Sequence, residues 1–172
     1  MFINLAVKKI ALRVVSALAI LVLLLVASVP AYALGSAPIS AQNITSNTPD
    51  QTLSAMFHHE QVWLTQQQGS IGDAKVKLMD DAFVHMINGH QAFAKQIALH
   101  KAAFEYDISR AKVSLDNARS LLDSHNGFDM DGSIIDRNAA IATLKNANAY
   151  LTRARYWIKS AKNELTLARK FR

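Results

Sequence analysis

The residues of this chain best suited to chemistry are its six histidines: His58, His59, His85, His90, His100 and His125. Imidazole binds borderline metals and titrates near neutral pH. His59-Glu60-Gln61-Val62-Trp63 begins like the zinc-protease helix H-E-x-x-H, in which two imidazoles four residues apart share one metal. Trp63 stands where the second imidazole belongs, so that motif fails. His85 and His90 are five residues apart, which turns them about 140° from each other on a helix. His90 and His100 share a face but lie about 15 Å apart along it. A metal site would need His58 or His59 to meet His85 and Asp81 across a helix interface. The plainer reading makes His90 and His100 polar register-setters within an apolar seam. Charging them near pH 6 would then weaken the packing, so stability should fall on acidification.

Asp129-Met130-Asp131-Gly132 looks like part of a calcium loop. Aligning Gly132 with the glycine of such a loop puts Gly127 at the first ligand position and Asn138 at the last, where carboxylates are required. It reads as a solvated turn. There is no cysteine, hence no disulfide, thiol nucleophile or thiolate metal site. No G-x-S-x-G elbow or phosphate-cradling glycine loop occurs, and neither Glu60, Glu105 nor Glu164 has a histidine three residues on, as a di-iron bundle needs. The expectation is a non-enzyme with no catalytic, cofactor or metal residues.

The elements around these residues begin with an export signal. Lys8, Lys9 and Arg13 precede an apolar run from Val14 to Val29, then Pro30 and the small-residue pattern Ala31-Tyr32-Ala33. Residues 1–33 read as a bacterial signal peptide cleaved after Ala33; left uncleaved, the run is long enough to anchor the chain in a membrane. Residues 34–47 are small, polar and aperiodic, and read as a flexible leader. Residues 48–172 form one helical domain, rich in Ala, Leu, Lys and Gln.

Three helices are expected there. The first starts with Thr48 as N-cap, Pro49 at the first position and Gln51 in a capping box, and runs to Gly69 with Leu53, Met56, Phe57, Trp63 and Leu64 as its stripe. The second, capped by Asp73, runs to about Ser124. Its seam steps by threes and fours through Met79, Phe83, Met86, His90, Phe93, Ile97, His100, Phe104, Ile108, Ala111, Leu115, Ala118 and Leu122. The third follows the turn at 125–132, with Ser133 as cap and Asp136 in the capping box, and its apolar face carries Ala139, Ala147, Tyr150, Ala154, Trp157, Ile158, Ala161, Leu165 and Ala168. The fold class is all-α: a long antiparallel helical hairpin or coiled coil with a short additional N-terminal helix, or a four-helix bundle if the second helix breaks at Gly89. In the hairpin, the first helix folds back along the start of the second and the third along its end. Two helices side by side leave apolar edges, so a second copy, most simply a dimer, is expected to cover them.

Leu64-Thr65-Gln66-Gln67-Gln68 resembles the L-T-x-x-Q motif of the small helical periplasmic chaperones of the Spy and CpxP type. The resemblance implies a cradle-shaped dimer that binds unfolded clients. It covers five residues, and the second copy of the motif is lacking, because Leu165-Thr166-Leu167-Ala168-Arg169 has no Gln.

Charge singles out the third helix. Of 19 basic residues three lie in the signal segment, whereas all 13 acidic ones follow it, so the mature chain carries 16 minus 13, or +3. That is too little for a nucleic-acid binder. Between Ile134 and Arg172, however, nine basic residues face two acidic ones. Arg137, Lys145, Arg155, Lys159, Lys162, Arg169 and Lys170 fall within a third of a turn and form a candidate face for an anionic partner, such as an anionic lipid or a wall polymer. The sequence thus predicts an exported helical interaction or structural protein of the cell envelope, working through a coiled-coil surface, the basic C-terminal helix and contacts with itself or other envelope proteins. A client-binding chaperone and a histidine-based metal or pH sensor are the alternatives.

Overall fold

The computed structural model describes residues 44–171. The signal segment, its cleavage point and leader residues 34–43 lie outside them. The described residues form an all-α unit of four helices: α1 (Asp50–Ser70), α2 (Asp73–Gly89), α3 (Ala94–Asp123) and α4 (Arg137–Ala168). A 3-10 turn, Gln91–Phe93, precedes α3 and another, Arg169–Phe171, follows α4.

Helices α3 and α4 pack antiparallel. Near the loop joining them, Thr143 Oγ1 donates to the Asn126 carbonyl at 2.8 Å. In the middle, the rings of Tyr106 and Trp157 meet edge to face, 6.1 Å apart. At the open end Phe171 packs against Phe93 and His100. Helix α1 runs with α4: Arg137 pairs with Asp50, Asn148 with Glu60, and Gln67 Nε2 donates to the Leu151 carbonyl. Helix α2 continues in the same sense against α3, where Lys112 meets Asp73, Lys101 meets Asp80, and Phe83 packs on Phe104. The unit is therefore a bundle of three rods, α1–α2, α3 and α4.

This corrects where the chain turns. The second helix is not continuous but breaks at Gly89, as the four-helix alternative required: Gly89 ends α2, His90 is extended at φ −133° and ψ 67°, and the chain reverses there. The fold-back expected after Gly69 does not occur; Ile71, 4% exposed, plugs a break between two helices of one sense. The seam concealed this because both limbs of the reversal pack on one core. Phe83 on α2 and Ile97, Phe104 and Ile108 on α3 are all buried, so the same three-four spacing appears on both sides of the bend, although Phe93 at the bend itself is 44% exposed. The beginning of α1 accordingly lies at the loop end of the bundle, and only the C-terminus approaches Gly89.

Three start signals also moved. Pro49, not Thr48, occupies the N-cap of α1, without a side-chain bond, and Thr48 Oγ1 accepts from the Thr45 amide instead. Asp73 is the first residue of α2 rather than its cap. Asp136 itself caps α4, accepting from the amides of Asn138 and Ala139 at 2.9 and 3.1 Å, while Ser133 is held in the loop by Asp129 and Asp131. In the leader, Ile44 is buried and Ser46 accepts from Arg137, so residues 44–47 form a pinned turn.

The core of α4 follows a heptad. Ala140, Ala147, Ala154, Ala161 and Ala168 are each 0% exposed, and Leu144, Leu151, Ile158 and Leu165 stand four residues after the first four of them. Methyl-sized side chains let neighbouring helices approach closely, and the larger column fills the gaps between them.

Candidate anion-binding surface

Outside the Ala and Leu columns, the buried Thr143 and Asn148 and the half-buried margin of Ile141, Tyr150 and Trp157, α4 faces solvent. Lys145, Arg155, Lys159, Lys162, Arg169 and Lys170 are all exposed. Arg137 departs from the proposed set: its guanidinium pairs with Asp50 and donates to the Ser46 and Thr48 carbonyls, stapling the start of α1 to the start of α4. The one acidic residue within α4, Glu164, has its Oε2 2.7 Å from Nδ1 of His100. Glu164 is thus turned to His100 of α3 rather than to the basic side chains.

The opposite edge of α4 carries residues that sequence reasoning missed. The Arg110 guanidinium of α3 lies 5.8 Å from the ring centre of Tyr106 and 5.7 Å from that of Trp157. One turn before Trp157, Arg153 lies 5.6 Å from the Tyr150 ring. Tyr150 and Trp157 pack at the margin of the core, half-buried, and each presents a ring to an arginine. Beside them runs a shallow groove of about 470 Å³, lined by Asn117, Ser120, Leu121, Asn146, Ala149, Tyr150 and Arg153. The signal available in the sequence was the pairing of Arg and aromatic residues at helical spacing on both helices, Tyr106 with Arg110 and Tyr150 with Arg153.

The histidines do not converge. His58 of α1 packs beside Gly132 at the loop end, whereas His85 and Asp81 sit on α2, along the other half of the bundle. The interface that would have joined them requires the fold-back that does not form. His100 is no buried seam residue either, since it is partly exposed and faces a carboxylate. Among the described residues, no group of three or more His, Asp or Glu side chains is placed to hold a metal.

Glu60, from the failed zinc motif, lies inside the bundle at 2% exposure. Asn148 Nδ2 donates to its Oε1 at 2.8 Å, while Oε2 has no hydrogen-bond partner. Burial pushes this carboxyl up to about 7, against the lowering effect of the Asn148 bond. Sealed between α1 and α4, it serves packing and titration rather than binding. In the L-T-x-x-Q segment, Leu64 is core and Gln67 bonds across to α4, so the segment acts as a docking face of α1.

No protein-family profile, curated protein or solved structure matches this chain.

Proposed function

We propose that this chain is an exported, non-enzymatic interaction protein of the cell envelope that engages an anionic partner along α4. One observation carries the reading: the exposed side of α4 presents Lys145, Arg155, Lys159, Lys162, Arg169 and Lys170, and its only carboxylate is engaged by His100. Such a surface attracts polyanions without fixing their sequence. Export rests on the charge, apolar run and A-x-A pattern of residues 1–33. The test is binding of the mature chain to anionic wall polymer and to anionic vesicles at low and at high salt. Each basic residue near an anionic surface contributes about 1 kcal/mol, so reversing Arg155, Lys159 and Lys162 to Glu should weaken binding by on the order of 100-fold or more. Absence of binding to either partner at low salt would overturn the reading.

A second reading, the client-binding chaperone, draws on a groove of about 580 Å³ between α2 and α3. Val76, Phe104, Ile108 and Val113 give it an apolar lining, and Asp73, Lys77, Asp80 and Lys112 stand among its charged lining residues. Under this reading the mature chain suppresses aggregation of a denatured test protein at stoichiometric ratios. Unchanged aggregation would dismiss it.

A further inference from the structure

The edge of α4 away from its lysine-rich face is built differently from that face, and it carries a more specific inference. Arg110 and Arg153 are held by aromatic rings alone; among the described residues neither side chain makes a hydrogen bond or ion pair. A guanidinium lying over a ring is fixed through its face, and its N–H fork stays available at the edge. The two arginines sit over rings seven residues apart on α4, about 10 Å along the axis, a distance that a disaccharide spans. Past Arg153, toward the α3–α4 loop, the groove offers Asn117, Ser120, Asn146 and the Tyr150 hydroxyl, groups that both donate and accept.

We propose that the α3/α4 groove, together with the Arg110 edge that continues it, binds a linear anionic polysaccharide, its carboxylates received by Arg110 and Arg153 and its hydroxyls by the amides and hydroxyls past Arg153 toward the α3–α4 loop. This rests on the reading of α4 as an anion-binding helix and adds a site and a ligand class to it. Three observations favour that occupant. The groove is concave and polar-lined, whereas the exposed Leu78, Leu99, Met130 and Ile135, which a bilayer would bury, lie elsewhere. A second copy seated on the same face about a two-fold axis would bring arginines toward arginines. Hydroxyl-rich ligands use the Asn and Ser groups, which a polyphosphate chain leaves unmatched.

The experiment titrates the mature chain with polyuronate and follows Trp157 emission, with the W157F variant as the blank. Expected are a saturable emission change, no response to neutral dextran, and weaker binding of polyphosphate at equal charge. R110Q and R153Q, both at ring-stacked surface positions, should each lower polyuronate affinity about tenfold, with helicity unchanged by circular dichroism. Reversing Arg155, Lys159 and Lys162 should weaken binding but leave the Trp157 response at saturation. Equal affinity for polyphosphate would overturn the polysaccharide assignment. Polyuronate binding that is unaffected by R110Q and R153Q, or silent at Trp157, would overturn the groove while leaving the α4 reading standing.

Discussion

Glu60 is the residue whose chemistry the fold changes most. Its folded value near 7 exceeds the 4.5 of an unperturbed glutamate because the bundle desolvates the carboxylate. The folded state therefore holds the proton more tightly than the unfolded chain, and stability falls as pH rises from about 4.5 through about 7. The 2.5-unit difference corresponds to about 3 kcal/mol at most. This is opposite in sign to the acid weakening expected from His90 and His100. Urea unfolding across that range should show the decline, and Glu60→Gln, which keeps an acceptor for Asn148, should flatten it and stabilise the chain above pH 7. A profile unchanged by Glu60→Gln would refute the assignment. Gly127 makes a second residue-scale case. At φ +92°, its added Cβ would lie 2.1 Å from the Ala140 amide nitrogen, so Gly127→Ala should cost about 3 kcal/mol or more in the same assay. Little of this was legible beforehand. The His59-Glu60 spacing drew attention to metal chemistry, whereas the consequence of Glu60 comes from what surrounds it in three dimensions.

At the scale of elements, helix identity was legible and helix order in space was not. Periodicity located the buried stripes of α1 and α3 residue by residue, from Leu53 and Phe57 to Leu115 and Leu122. It could not locate the reversal, because a seam that serves one core looks the same on both limbs of a bend. The local cues at the two breaks, Gly69 with Gly72 and Gly89 with His90, were similar in strength. What separates them is tertiary: Ile71 is buried at the first, whereas His90 opens the turn at the second. The predicted face of α4 coincides with the buried one at Ala147, Ala154, Ile158, Ala161, Leu165 and Ala168, with Tyr150 and Trp157 packed at its margin, and differs by one position where Ala140 rather than Ala139 is buried. Three substitutions belong to this scale. Ala154→Leu inserts bulk into a fully buried methyl column and should destabilise by about 1–3 kcal/mol, whereas Ala149→Leu on the exposed side should change little. Asp136→Ala removes the acceptor for two amides of the first turn and should cost about 1 kcal/mol, measured by thermal unfolding.

At the scale of the whole molecule, the third rod changes the argument about partners. A two-helix hairpin would have needed a second copy to cover its seam. Here α1 and α2 lie along that seam within one chain. The basic surface of the last helix was legible from composition alone, because nine cations in 39 residues cannot all be buried. The arginine–aromatic edge was not, since Arg110 and Trp157 meet only once α3 and α4 are paired. Tethering of Arg137 was equally hidden, being a contact with residues 46, 48 and 50.

The most direct test of the account maps amide chemical-shift changes over the isotopically labelled mature chain during titration with an anionic polysaccharide. The account predicts changes confined to exposed positions from Lys145 to Lys170 and to the α3 face from Tyr106 to Leu121, diminishing as salt is raised. Shifts centred on α1 and α2, or none at low salt, would contradict it.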